Sequence, residues 1–279
     1  MVKIQKVKRT KRKGIEESEL ILNFSGNDVN NTIINCLRRI SYQFVPTYSF
    51  CYDTINITKN TTIYNNDYLK NRMEQICIYL QNINVINNVD ILNDIFWKNI
   101  DYKNKGFIKH EKDNLKLELF LDIENNTDNI INITTNDCKF FLNDDEVDIF
   151  SKEYPELLLK MKPKDKFSCR AFAVLNIGER NNIWSSVRNC FFEKLNDNSF
   201  NFTIQSIGQL DEIIILKKTC KIIKFKINKI KDWISNQKDK DLDYNIVKLK
   251  DENHTIGDLI VFFMQEHKNV IFCGGSKPD

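Results

Sequence analysis

At 279 residues, with 42% hydrophobic and 11% aromatic side chains, the chain can bury the cores of two modest domains. Its formal charge of +3 is too small to turn the whole surface into a glove for nucleic acid. No window approaches the roughly 18 consecutive apolar residues of a membrane span, and no apolar run follows the basic start, so the expected location is intracellular.

The cysteines agree with that expectation. Cys36, Cys51, Cys77, Cys138, Cys169, Cys190, Cys220 and Cys273 stand far apart, without a CxxC or CxC pair, so the spacing that clamps zinc is missing. Most sit among apolar residues and read as small core hydrophobes. Asn-x-Ser/Thr triplets at Asn56 and Asn132 follow from an Asn-rich composition and carry no meaning without secretion.

Residues 1–14 hold Lys3, Lys6, Lys8, Arg9, Lys11, Arg12 and Lys13 with little to bury, and read as a solvated basic tail; a nuclear address or DNA-touching arm is the alternative. From Ser18 to Phe24, Leu20, Leu22 and Phe24 alternate with other residues as in a strand, and Ser25-Gly26-Asn27 makes a turn. A helix follows within residues 27–50. Asn27 or Asp28 can cap it, Val29, Ile33, Leu37 and Ile40 form one stripe, Arg38 and Arg39 fall in its last turns, and Val45-Pro46 ends it.

A second helix is capped by Asp67 and carries Leu69, Met73, Ile76 and Leu80 on one face. Residues 81–113 read as a loop with a short helix around 91–97, anchored by Trp97 and Phe107, and His110 is expected to be an exposed histidine rather than a ligand. Strands are predicted at 115–124, where Leu115, Leu117, Leu119, Leu121 and Ile123 alternate with polar residues or Phe120, and at 130–135. Pro163 supplies a turn, Gly178 a joint, and Trp184 a core or interface aromatic. Phe200, Phe202 and Ile204 mark another strand, stopping at Gly208.

The longest helix comes next. Ile213, Leu216, Cys220, Ile223, Ile227, Ile230 and Ile234 recur at alternating steps of three and four, the seam of a helix lying along another helix. Ser235 to Asp243 reads as a linker. Beyond it is an internal echo: Thr255-Ile256-Gly257-Asp258-Leu259-Ile260 aligns with Thr32-Ile33-Ile34-Asn35-Cys36-Leu37, each preceded by a predicted strand, Tyr244 to Leu249 in the second case. Repetition of a strand–helix unit implies two copies of one module that pack on each other. In the second, Ile256, Leu259, Ile260, Phe263 and His267 share a face, and Val261 and Phe262 stand where the first has Arg38 and Arg39.

The wording of these stretches carries a resemblance. Asn35-Cys36-Leu37-Arg38-Arg39-Ile40 with Val45-Pro46 resembles the first helix of the alpha-like assembly subunits of cellular RNA polymerases, the bacterial alpha subunit and the eukaryotic third subunit. Leu159 to Lys166, Cys169 to Ala173, Ile177-Gly178 and Trp184 to Val187 resemble that family's inserted domain, with Lys164 and Asp165 for the usual glycine and Ser186 for the usual proline. Asp251 to Leu259 with Asn269 to Pro278 resembles the eleventh subunit, where His254 belongs to a fold signature rather than to catalysis. Many relatives hold a metal in a cysteine loop; no cysteine lies between Cys77 and Cys138 here, so no cofactor or metal is carried over.

The resemblance implies an α+β fold: two strand–helix dimerisation modules that pair, with an inserted mostly-β domain. The expected boundaries are a tail at 1–14, a discontinuous dimerisation domain at 15–50 and 197–235, the insert at 51–196, a linker at 236–243, and a second module at 244–279 that looks incomplete. It further implies a non-catalytic assembly subunit of a DNA-directed RNA polymerase, a fusion of third- and eleventh-subunit types as in large DNA viruses, located in virion or host cytoplasm with the nucleus possible. Its expected partners are the largest, second-largest and small polymerase subunits, with DNA touched only indirectly and no membrane. The expected interface is Leu37, Arg38, Arg39 and Ile40, then Ile213, Leu216, Ile223, Ile227 and Ile230, then His254, Thr255, Ile256, Leu259 and Phe263. Alternatives are a third-type subunit needing a separate small partner, a free nucleic-acid-binding transcription factor, or a thiol or zinc enzyme.

Overall fold

The computed structural model describes residues 2–11, 18–79, 116–150, 152, 154–236, 249 and 252–276. The expected loop at 81–113 with Trp97, Phe107 and His110, the linker, and the second module's strand at 244–249 lie almost wholly outside the described residues.

A four-stranded antiparallel sheet forms the floor of the first module, in the order β1 (Lys3–Lys11), β2 (Ser18–Ser25), β11 (Ser199–Ser206), β10 (Val187–Asn196). Leu20 and Phe24 on β2 lie opposite Ile204 and Phe200 on β11, and these four side chains are buried together with Phe202. The other face of the same two strands is polar: the Asn23 side-chain amide donates to Ser199 and Asn201, both at 3.1 Å. Alternation thus separates core from the more polar face, with Thr203 opposite Ile21 as the buried exception.

Helices α1 (Asn31–Gln43) and α3 (Glu212–Asn236) lie against this sheet, α1 on β10 and α3 on β2 and β11. The cap of α1 is Asn30, not Asn27 or Asp28; its side chain accepts the Ile33 N–H at 2.9 Å, and Val29 before it is buried. Because α1 runs on to Gln43, Arg38 and Arg39 stand a turn back from the C-terminus, where the dipole favours them less.

The insert opens on β3 (Thr47–Asn60) and the short α2 (Asn66–Glu74), capped by Asn65 rather than Asp67, with Leu69 and Met73 buried. Its larger sheet has the order β3, β9 (Lys166–Asn176), β4 (Leu117–Glu124), β6 (Lys139–Leu142), β7 (Asp145–Glu146); β5 (Ile131–Thr134) pairs with β8 (Leu157–Met161). Lys164 adopts φ 70, the left-handed conformation that the glycine it replaces would take freely.

Several contacts fasten the insert to the first module. Gly178 passes so close to α1 that an added Cβ would lie 2.5 Å from the Tyr42 carbonyl. Ser186, buried where relatives of the family it resembles have proline, donates its hydroxyl to the Ser41 carbonyl at 2.8 Å. Gln209, between β11 and α3, is a buried hub that accepts the Tyr48 N–H at 2.6 Å and donates to the Tyr48 carbonyl at 2.9 Å and the Ile78 carbonyl at 3.3 Å.

The basic start departs from expectation. Residues 3–11 pair along β2 as an edge strand rather than forming a free tail, with a register shift between Lys6 and Lys8. Exposed lysines and a bulge are the devices by which a sheet edge resists further pairing.

Candidate subunit-pairing interface

Helix α4 (His254–Gln265) is the described helix of the second module. It packs on α1 and, over a smaller contact, on α3. Its cap is Asn253, whose side chain accepts the Thr255 N–H at 2.9 Å; Asn253 corresponds to Asn30 in the internal echo, so the two copies share even their capping residue. Thr255, Ile256 and Leu259 are buried, and Ile256 and Leu259 join one continuous core with Ile34, Leu37 and Ile40 of α1. The face closes there. Phe263, expected on the buried stripe, is 52% exposed, and His267 is also exposed, because α4 engages its neighbours only through its first turns. His254 is exposed, its Nδ1 3.8 Å from the Asp258 carboxylate.

The seam predicted for α3 is not the stripe that the chain itself buries. Ile213 and Ile227 are 42% and 39% exposed, Cys220 is exposed, and Leu216 and Ile223 are half-buried; among the expected interface residues on this helix only Ile230 is fully covered. The side chain of Ile234 lies outside the described residues. The buried stripe runs one position away, through Glu212, Ile215, Thr219, Ile222, Lys226 and Ile230. Counting only apolar residues hid it, since every second member is polar. Glu212, Thr219 and Lys226 stand seven residues apart, and that heptad spacing was the available signal.

Each of the three meets a different element. Glu212 accepts from Arg9 Nη2 at 3.1 Å and from the Ser18 hydroxyl, while Arg9 also bonds Asp211, so β1 and β2 are tied to the start of α3. Burial pushes the Glu212 carboxyl above its ordinary value of 4.5, with Arg9 acting in the opposite sense. Thr219 and Ser41 share a hydrogen bond of 2.9 Å, joining α3 to α1. Lys226 Nζ lies 2.8 and 3.0 Å from the two oxygens of Glu252, the residue before the α4 cap, and 4.3 Å from the centre of the Phe44 ring at the end of α1.

The arginine pair is less engaged. Arg38 donates to Asn35 of its own helix at 2.9 and 3.1 Å. Arg39 is half-buried and makes no hydrogen bond or ion pair with a described residue. Three of the thiols belong to packing: burial pushes Cys36 up to about 11 and Cys169 and Cys190 up to about 12, well away from a reactive thiolate. Among the described residues, no three His, Cys, Asp or Glu side chains gather as a metal ion would require, and no helix is long and apolar enough to cross a membrane.

Two helices laid on a sheet, interrupted by a β-rich insert and joined by a further helix with a matching cap residue, define an α+β protein built on paired strand–helix units. The profile of the RNA polymerase Rpb3/Rpb11 dimerisation domain matches residues 23–227, most of the chain, and the protein belongs to that family. It is also 27% identical over 283 residues to a protein of Acanthamoeba polyphaga mimivirus described as "Putative DNA directed RNA polymerase subunit", covering 94% of this chain and 79% of that protein.

Proposed function

We propose that the chain is a non-catalytic scaffold of a multisubunit DNA-directed RNA polymerase, carrying a third-type module built on β1, β2, α1, β10, β11 and α3, wider than the expected 15–50 and 197–235, and an eleventh-type module from residue 244 onward, which pair within one polypeptide. The observation that carries this reading is the burial of Ile256 and Leu259 in one core with α1. Tethering raises the effective concentration of one module at the other, so pairing needs less intrinsic affinity than between separate chains. The paired modules would dock the largest and second-largest subunits, which hold the chemistry, with small subunits alongside and DNA reached only through them. The mimivirus relative supports a viral setting, in virion or host cytoplasm.

Arg38 and Arg39 are the proposed contact with the second-largest subunit. Arg39 has no hydrogen-bonded or ionic partner among the described residues, and a guanidinium presents a fork of donors suited to carboxylates and carbonyls of a partner. Replacing both by alanine is expected to leave the melting temperature within a few degrees of wild type and to reduce recovery of the second-largest subunit with the tagged chain. Unchanged recovery, or loss of the fold itself, would remove them from the interface.

A further inference from the structure

We propose that the Lys226–Glu252 pair is the key that seats the second module on the first in one register and rejects mismatched partners. The inference rests on the reading above that residues beyond α3 form a second, pairing module.

Both side chains are almost fully withdrawn from water, 5% and 6% exposed, and the ammonium is held by both carboxylate oxygens beneath the Phe44 ring. A cation there has a carboxylate on one side and a π face on the other, an arrangement that offsets desolvation only with the partner in place. Three elements therefore meet at one buried charge: the end of α1 through Phe44, α3 through Lys226, and the entry to α4 through Glu252. Apolar contacts such as Ile256 and Leu259 tolerate sliding, because any aliphatic surface satisfies them; a buried ammonium does not. Docked one turn out of step, or replaced by a module with an apolar residue at this place, the contact would leave Lys226 covered and deprived of the Glu252 carboxylate. Single polar residues in helix seams specify register in this way at a cost in stability. Glu252 also stands one residue before the N-cap, where the α4 dipole favours its negative charge.

The test uses full-length chains and hydrogen exchange of the α4 amides, residues 254–265. Lys226→Glu and Glu252→Lys should each speed exchange there by about a hundredfold or more, the penalty of breaking a buried pair. The double variant K226E/E252K should restore protection to within about tenfold of wild type, the residue of the deficit reflecting a cation at a helix N-terminus. Mixing the two single variants should give, by native mass spectrometry, a 1:1 heterodimer in which each second module docks on the other chain, since every α3 then meets an opposite charge. Wild-type protection in either single variant, or no rescue in both the double variant and the mixture, would overturn the key. Rapid exchange of α4 in the wild-type chain would instead overturn the pairing reading beneath it.

Discussion

The two copies of the internal echo open on the same cap residue, Asn30 and Asn253, and then diverge in what covers them. The first helix is held on the sheet side by β10, on its flank by α3, and at its end by Gly178 and Ser186 from the insert, so its apolar positions are buried to the last turn. The second is buried over its first turns only, and beyond them Phe263, Met264, Ile271 and Phe272 stand exposed. The difference teaches that a shared cap residue fixes the start of a helix but not its surroundings: capping is decided by a few neighbouring atoms, burial by what the rest of the chain brings.

The sharpest way to break the comparison is at α3, which serves both copies. Ile222→Asp puts an unpaired carboxylate in the buried stripe and should destabilise by roughly 4 kcal/mol or more, whereas Ile223→Asp, one position round the helix, should cost less than half as much. Urea unfolding of the two variants checks this; equal losses would mean that the buried stripe is not the true core. On α4 the contrast should appear within one helix. Ile256→Ala is expected to cost about 2–4 kcal/mol, since a buried isoleucine leaves a cavity, and Phe263→Ala no more than about 1 kcal/mol. If Phe263→Ala proved the costlier, the second helix would be seated on a different face.

The smallest effect concerns how the first module holds its edge strand. The Glu212 carboxyl is raised by burial, so the folded protein keeps this proton to a higher pH than the unfolded chain does. More protons bound in the folded state means that this group's contribution to stability is greatest at low pH and is lost as pH rises above its ordinary value of 4.5 through the raised one. Glu212→Gln should therefore flatten the fall in melting temperature across that window, read by thermal melts over a pH series. An unchanged slope would contradict the cause assigned to the shift.

Much of the fold was legible. The strand at 200–205 and the one at 115–124 announced themselves by alternation, and the first helix by its stripe and proline stop, because each depends on residues close in sequence. The Arg38–Arg39 motif and the Trp184–Ser185 stretch pointed to the family. What was not legible depends on distant partners. Lys3 to Lys11 reads as a solvated tail until β2 offers an edge and Asp211 and Glu212 offer Arg9 its counter-charges. The stripe of α3 buried within the chain was not legible because Ile213, Ile223 and Ile227 satisfy a hydrophobic count, while Glu212, Thr219 and Lys226 are buried only by virtue of Ser18, Ser41 and Glu252. A polar residue announces its burial only through its partner.

The most direct measurement of the central claim is to tag the chain at its N-terminus, isolate it natively from its source, and quantify what accompanies it by mass spectrometry. The account predicts the two largest polymerase subunits at one copy each per tagged chain, with no separate eleventh-type subunit. A stoichiometric separate small subunit would contradict pairing within one polypeptide, and absence of the large subunits would contradict the scaffold itself.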